Sequence, residues 1–396
     1  MTGDLPAIDG GEPALSEPIG YGGQSIGEEE KVAICEALES DYVTRGPRVD
    51  EFEDRLAEFV GVDHAIATTS GTTALQLAGD AIDLGPGDEI ITTPLTFVAT
   101  AYPACHTGAT PVLADIDTET RTIDPDAVRD AITEDTRALV PMHYGGHPCD
   151  VDELLSIADT HDLTVIWDAC HAFGTTLEGN QVGSEPDMAT FSFHPVKNIT
   201  TGEGGAVVTD DDELADRLRA LRSFDMNYEP EGHEEEPWYQ VTEGVGYNYN
   251  ITDIQAALGL EQIDKVESFK RRRQEIMAQY DQAFEEVPGL RTPVVKDGVD
   301  PMFHLYAVEI VEDEFGCSRT KFVNAMHAEN IYVQVHYVPL HYHPFFQEEY
   351  GYERGQFPET EAVYDRIVSL PLYPAMSDDE VDSIIHAIHR LHNTRR

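Results

Sequence analysis

Three short segments carry residue types that could do chemistry together. Ser70-Gly71-Thr72-Thr73 stands between an apolar run and an Ala/Leu-rich stretch, the setting of a helix start. The unpaired N–H groups and hydroxyls there suit one phosphate, although a well-capped helix would use the same residues. Asp168 ends the run Leu163-Thr164-Val165-Ile166-Trp167. A carboxylate leaving an apolar strand is costly to bury unless a cation meets it; the other reading is again a helix cap. Lys197 follows Phe191-Ser192-Phe193-His194-Pro195-Val196 and precedes Asn198-Ile199-Thr200-Thr201-Gly202-Glu203-Gly204-Gly205. A lysine among hydroxyls and glycines just after an apolar strand can be desolvated and made nucleophilic. As an ordinary loop residue it would be a surface cation.

In this order the three segments match the needs of one cofactor. Pyridoxal phosphate requires a phosphate cup, a carboxylate for its pyridine nitrogen and a lysine for a Schiff base. Two other cofactor fingerprints are missing. The chain has no GxxxxGK[ST], and Gly202-Glu203-Gly204-Gly205 runs into an apolar strand instead of opening a helix, the reverse of a dinucleotide-binding turn.

The elements that must position these groups are legible in outline. Short runs dense in β-branched or aromatic residues lie at 64–67, 89–92, 110–114, 138–142, 163–167, 190–193 and 206–209, as expected of strands buried on both faces. Helix starts lie between them: Asp124 before Pro125, and Asp150 with Glu153 as a capping box. Strand–helix alternation of this kind predicts an α/β sheet covered on both sides. A long helical stretch spans about 252–286, with the basic run Lys270-Arg271-Arg272-Arg273 as its salt-bridged face, and a last helix starts at Ser377 with Glu380. The expected organisation is a loose Pro/Gly/acid-rich arm at 1–20, a large domain at 21–262 and a smaller one at 263–396.

Composition narrows the partners. Of 396 residues 41% are apolar, 25 are Lys or Arg and 75 are Asp or Glu, so the net charge is 25 − 75 = −50. That field repels phosphate backbones and anionic lipid, which disfavours nucleic acid and membrane surfaces as partners. Only six residues are lysine; carboxylate excess with few lysines fits a salt-accumulating halophile, where self-repulsion is screened. Five cysteines without a CxxC pair point to a reducing cytoplasm. The first 18 residues lack a basic start and an apolar core, so no signal peptide is expected.

With these residues in place, the sequence resembles the DegT-type, pyridoxal-phosphate-dependent aminotransferases that act on keto sugars attached to nucleotides. The resemblance spans residues 21–391. It is most specific at 191–205 and again from Gly246-Tyr247-Asn248-Tyr249 through Thr252-Asp253-Ile254-Gln255-Ala256-Ala257-Leu258-Gly259. His194-Pro195-Val196-Lys197, Pro237-Trp238-Tyr239 and Val335-His336-Tyr337-Val338-Pro339-Leu340-His341 resemble the transaminases of the pseudaminic-acid route, which aminate C4 of a UDP-linked 4-keto-6-deoxy-N-acetylhexosamine. Gly71-Thr72-Thr73 departs from that subfamily's usual Ala-Thr-Ser, and Asn250 stands where many relatives carry Arg.

The resemblance implies an α/β fold of type I, aspartate-aminotransferase-like, with a large mixed-sheet domain and a smaller C-terminal α+β domain. It implies that Lys197 carries the Schiff base, Asp168 pairs with the pyridine nitrogen and His171 lies near the ring hydroxyl. Gly71, Thr72 and Ser192 would hold the phosphate and Phe97 would stack on the ring. Asn248 would reach the phosphate of a partner subunit, making a homodimer with composite sites, and Thr44 and His341 would contact the substrate. The donor would be L-glutamate, the acceptor a nucleotide-linked 4-keto-6-deoxy sugar, and the setting polysaccharide or glycan biosynthesis. Amination of a 3-keto sugar, a cofactor-fold sensor without turnover and a metal hydrolase are the alternatives. Sugar dehydratases of the family carry His in place of the lysine. His336, His341, His343 and the pair His143 and His147 fit no common metal-ligand spacing, so no metal is expected.

Overall fold

Short β-branched and aromatic runs bounded by Gly, Asp and Pro form strands with both faces covered. The computed structural model describes residues 5–227, 235, 236 and 238–395, and joins these strands in a seven-stranded sheet. They are His64–Thr68 (β1), Glu89–Thr92 (β2), Thr110–Leu113 (β3), Thr136–Val140 (β4), Thr164–Asp168 (β5), Met188–Ser192 (β6) and Gly205–Thr209 (β7). Their order is β1-β7-β6-β5-β4-β2-β3, with β7 alone antiparallel to both neighbours. Gly205 pairs with Thr68 on one side and Ser192 on the other, and Asp168 with Thr190. The ends of β1, β5 and β6 therefore share the carboxyl edge, where open α/β sheets hold ligands.

Glu28–Glu39 (α1) and Pro47–Val60 (α2) precede the sheet, Gly71–Ala81 (α3) follows β1, and Pro125–Ala131 (α4) and Val151–His161 (α5) cover it further on. Asp124 caps α4 as expected, accepting from the Asp126 N–H at 2.9 Å. At α5 only half of the expected box forms. Asp150 accepts from the Glu153 N–H, but the Glu153 carboxylate turns outward to pair with Arg129.

The single long helix expected over 252–286 is two, Asp253–Ile263 (α6) and Val266–Phe284 (α7). α6 packs closely on α2: a Cβ on Gly259 would lie 2.4 Å from the Phe52 ring. α7 redirects at Lys265, whose ammonium sits 2.7 Å from both oxygens of the buried Glu30. It then leads into a second core with the antiparallel strands Leu290–Arg291 (β8), Tyr306–Ile310 (β9) and Ile367–Leu370 (β10) and the last helix, Asp378–Arg395 (α8). Ser377 and Glu380 form both halves of the box that starts α8.

Two expectations need correction. Residues 5–20 of the arm are anchored rather than loose. The buried Glu329 carboxylate accepts from the Ala7 and Ala14 N–H groups, Ile19–Gly20 pairs in parallel with Ile331–Tyr332, and Leu15 and Ile19 pack on the second core. In the basic run, Lys270 and Arg272 do pair with Asp300 and Asp378. Arg273 instead is fully buried, donating to the Phe303 and Leu372 carbonyls at 3.2 and 2.7 Å. Two of its nitrogens lack partners, and burial pulls the guanidinium down to about 9. Pro237 of the Pro237-Trp238-Tyr239 motif lies outside the described residues. Among the described residues no helix is long and apolar enough to cross a membrane.

Candidate active site

The carboxyl edge opens into a cavity of about 340 Å³ whose wall includes Gly71, Thr72, Asp168, Ser192 and Lys197. Ser70 caps α3 reciprocally with Thr73: its hydroxyl accepts from the Thr73 N–H at 3.1 Å, and the Thr73 hydroxyl accepts from the Ser70 N–H at 3.0 Å. The rest of the helix start faces the cavity. A Cβ on Gly71 would sit 2.7 Å from Ser192 Cβ and 3.1 Å from Cys170 Sγ, and one on Gly205 would sit 2.5 Å from the Ser70 carbonyl. Only glycine leaves this concavity open, and its donors are N–H groups and hydroxyls, the chemistry a phosphate takes.

Asp168 is 2% exposed at the end of β5. Thr100 Oγ1 donates to its Oδ2 at 2.7 Å and the Cys170 N–H to its Oδ1 at 3.1 Å. A carboxylate has about four acceptor sites, so one donor from the cavity can still be accepted, as a pyridine N–H would require. Lys197 is half-buried just after β6. Burial lowers its pKa from the usual lysine value, against the opposing influence of Cys170 and Asp168. Desolvation of this kind raises the neutral, nucleophilic fraction of a lysine. The Cys170 thiol is pushed well up, by burial and then by Asp168, so it stays protonated and serves as a small apolar wall. The pyridoxal phosphate expected from the sequence therefore fits this donor set.

His171 is buried with its pKa well below the usual value, through burial and then the charge of Lys197. Its Nδ1 accepts from the Gly145 N–H at 3.2 Å, so the proton of the neutral ring is on Nε2, 2.9 Å from Tyr337 Oη. The Tyr337 oxygen accepts that bond, which leaves its own proton free to be donated. Phe97 lines the cavity from an exposed position, its ring centroid 5.8 Å from that of Tyr337.

The structure thus brings together Gly71, Thr72, Phe97, Asp168, His171, Ser192 and Lys197. It does not bring three others. Asn248 is exposed and outside this cavity, its Oδ1 taken by Asn250 Nδ2 at 3.2 Å. Thr44 lies exposed on the loop between α1 and α2. His341 is fully enclosed, with Nε2 3.0 Å from Glu361 Oε1 and its ring against Phe357. Contact between His341 and a substrate is therefore corrected to a structural pairing.

Sequence reasoning missed the facing wall of Tyr21, His304, His336 and Tyr337. His304 is 3% exposed, close to His171 at 4.5 Å between ring centroids, and its pKa is well down through burial and then Lys197. His336 bonds Ser369 Oγ at 2.8 Å and is pulled to about 3, by burial first and Lys197 second. A lone histidine inside Met302-Phe303-His304-Leu305 was the only local signal for that position. Glu203 also lines the mouth, its carbonyl held by Gln255 Nε2 at 2.6 Å and Thr201 Oγ1 at 2.8 Å. Among the described residues no three His, Cys, Asp or Glu side chains are placed to hold a metal ion. His143 stacks on Trp167, His147 bonds the Pro148 carbonyl and His343 the Val338 carbonyl.

A family model described as the DegT/DnrJ/EryC1/StrS aminotransferase family matches residues 24–389. The spore coat polysaccharide biosynthesis protein SpsC of Bacillus subtilis (strain 168) is 45% identical over 370 residues, covering 92% of this chain and 94% of that protein. The solved structure of Helicobacter pylori PseC, an aminotransferase involved in pseudoaminic acid biosynthesis, superposes with a TM-score of 0.88. It is 31% identical, with 96% of this chain and all (100%) of that one covered. The pyridoxal-phosphate form of the sugar aminotransferase Spr1654 of Streptococcus pneumoniae, itself described as putative, superposes with a TM-score of 0.89. Its identity is 29%, over 96% of this chain and 100% of that one.

Proposed function

The chain belongs to the DegT/DnrJ/EryC1/StrS aminotransferase family, and from that premise we propose that it moves an amino group from L-glutamate onto a nucleotide-linked 4-keto-6-deoxy sugar for polysaccharide or glycan biosynthesis. It is a pyridoxal-phosphate aminotransferase of fold type I. The observation that carries the substrate reading furthest is the meeting of Lys197, Asp168 and the Gly71 cup in one cavity, in a chain similar to polysaccharide and sugar aminotransferases.

Pyridoxal phosphate, when bound, supplies an electron sink for a carbanion. The roles we assign to the chain's own residues follow from their surroundings. The Gly71 and Thr72 N–H groups with the Thr72 and Ser192 hydroxyls hold the phosphate. Asp168 accepts the pyridine N–H and keeps that proton in place. Lys197 would serve as the mobile base, taking the proton from the donor's α-carbon and, as acid, returning it to the carbon on the far side of the amino nitrogen. Neutral His171 and Tyr337 orient the ring hydroxyl, and Phe97 covers the ring face. With the keto sugar, Lys197 performs the same two transfers in reverse.

Asn248 belongs to the site of a second subunit in this reading, so the working unit is a homodimer. We further propose a salt-adapted cytoplasmic protein, supported by a net charge of −50 and by the five free cysteines. The division into 21–262 and 263–396 stays part of the proposal; two cores support a division of this kind, but they part within α7, where Val266 and Phe269 join the first and Ile276 and Met277 the second. The test is to offer the loaded protein, in high salt, L-glutamate and a panel of nucleotide-linked 4-keto and 3-keto sugars, and to weigh the products. A mass change for keto oxygen to amine on a 4-keto sugar is expected. Amination of only 3-keto sugars overturns the carbon, and no amination of any member overturns the reading.

A further inference from the structure

An amino donor brings an α-carboxylate into a cavity with little to receive it. The Gly71 cup serves the cofactor, and the carboxylates of Asp168 and of Glu203 at the mouth repel a second anion. Lys197 is the one lysine or arginine among the described residues of the wall, and it is committed to chemistry. The carboxylate of an α-amino acid is one carbon away from its nitrogen. It must therefore come to rest on the wall beside the place where Lys197 works.

Three buried neutral imidazoles stand there, and two have partners. His171 accepts from the Gly145 N–H and donates to Tyr337, and His336 meets Ser369 Oγ at 2.8 Å. His304 has no hydrogen-bond partner at either ring nitrogen among the described residues. Its Nδ1 is sealed in, so Nε2 is the nitrogen left to the cavity that the ring lines. A sealed acceptor without a partner is better tolerated than an orphaned N–H, which puts the proton of the neutral ring on Nε2, as a donor. The backbone fixes that aim. Gly145, which donates to His171, accepts from the His304 N–H at 2.9 Å and the Leu305 N–H at 3.1 Å. One glycine thus holds the two rings side by side, 4.5 Å between centroids.

The charge behind His304 is positive. Arg273, fully buried on α7, donates to the carbonyl of Phe303, the residue just before His304. No carboxylate pairs with that guanidinium among the described residues. Its charge reaches the ring: after burial, Lys197 and His171, it is the next influence that keeps His304 neutral. A buried cation without a partner is costly, and an anion arriving nearby offsets that cost. The wall therefore sets an uncharged donor in front of a buried charge. We propose that His304 gives its Nε2–H to the α-carboxylate of the amino donor. The proposal deepens the L-glutamate reading above and rests on it. A charge-assisted hydrogen bond of this kind is directional, so it fixes the donor's α-carbon against Lys197.

Loaded wild type, His304→Phe and His304→Gln are compared in high salt with two amines, L-glutamate and 4-aminobutyrate, which is glutamate without its α-carboxylate. Absorbance follows conversion of the cofactor from its aldehyde to its amine form. Calorimetry follows binding of α-methyl-L-glutamate, which has no α-proton to lose. His304→Phe is expected to bind α-methyl-L-glutamate about tenfold more weakly or worse, and to lose about as much in kcat/KM for L-glutamate. Its rate with 4-aminobutyrate and its affinity for pyridoxal phosphate are expected to be unchanged. His304→Gln, whose amide can donate from the same side, recovers part of both losses. A packing role alone would slow both amines alike. Equal losses for the two amines, unchanged binding of α-methyl-L-glutamate, no recovery in His304→Gln, or failure of both variants to fold and load each overturns the proposal. A wild type that takes no amino group from L-glutamate overturns the donor reading and the proposal with it. A wild type that does, beside a His304→Phe variant that favours L-glutamate over 4-aminobutyrate as strongly, overturns the proposal alone.

Discussion

On one side of the cavity stand Gly71, Asp168 and Ser192, each at a strand end or a helix start, with Lys197 on the turn that follows β6; on the other stand Tyr21, His304, His336 and Tyr337, all in irregular segments. The first side is fixed by sheet register, since Gly205 aligns the ends of β1 and β6. The second is fixed by single contacts from distant parts of the chain: Tyr21 through its carbonyl, which accepts the Leu372 N–H at 3.0 Å, and His336 through Ser369. Electrically they differ too. The sheet side holds a lysine and a carboxylate, whereas its three opposing or flanking histidines, His171, His304 and His336, are kept neutral by burial and by Lys197 itself. Charge is thus concentrated at the carboxyl edge of the sheet, and the facing wall offers directional hydrogen bonds without competing for a proton near neutral pH.

The sharpest way to break this comparison is to remove the charge on the sheet side. Lys197→Ala is expected to abolish turnover while retaining some cofactor, because the cup and Asp168 remain. Borohydride reduction of the loaded wild type should leave a pyridoxyl label on Lys197, mapped by peptide mass, and none elsewhere. A label on another lysine would move the chemistry off the turn after β6. Asp168→Asn comes next, with kcat lower by three to four orders of magnitude, about 4–5 kcal/mol of transition-state stabilisation. The amide still accepts from Thr100 but no longer holds a pyridine proton. Near-normal kcat in this variant would mean that another group pairs with the ring.

The neutral side is tested by acid. His336 titrates at about 3 in the fold against about 6.5 when unfolded. Between those values the unfolded chain binds the extra proton, so stability falls as the pH drops through 6.5 and the loss levels off near 3. Comparing wild type with His336→Gln from pH 6.5 to 4.5 isolates this proton from the titration of the many carboxylates. The wild type should lose about 2 kcal/mol more than the variant over that range, from one proton at ~1.36 kcal/mol per pH unit. Equal slopes in denaturant titrations would show a charged His336.

The difference between the walls also explains what could be read in the sequence. The strands at 64–67, 163–167 and 190–193 and the cap at Ser70 are local patterns, and the residues they place, Gly71, Asp168 and Ser192, are at the site. His304, His336 and Tyr21 carry no such pattern: each is a single polar or aromatic residue whose place depends on how the second core and the arm dock. The same holds for the errors. The composition of residues 5–20 suggests a free arm, and nothing local reveals that Glu329, more than 300 residues away, accepts two of its N–H groups. Arg273 sits in a run that looks like a surface face, yet its register on α7 turns it inward onto two carbonyls.

The smallest expected effect lies at Tyr337, where the two walls meet. Since His171 Nδ1 accepts from Gly145, its Nε2 must donate to Tyr337, and the Tyr337 proton is left for the cavity. The phenol keeps that proton because burial pushes its pKa well above the usual value. Tyr337→Phe removes one acceptor from His171 and one donor from the cavity but leaves the ring packing near Phe97. A lost hydrogen bond of this kind costs about 1 to 1.5 kcal/mol, so kcat/KM should fall roughly tenfold with little change in melting temperature. His171→Phe should then add little to Tyr337→Phe, because the pair acts through one hydroxyl; the coupling in a double-mutant cycle measures that directly. Strict additivity of the two would mean that each wall contacts the reacting groups independently. Tyr337 would then be a packing residue of the second core rather than the link between the neutral wall and the charged one.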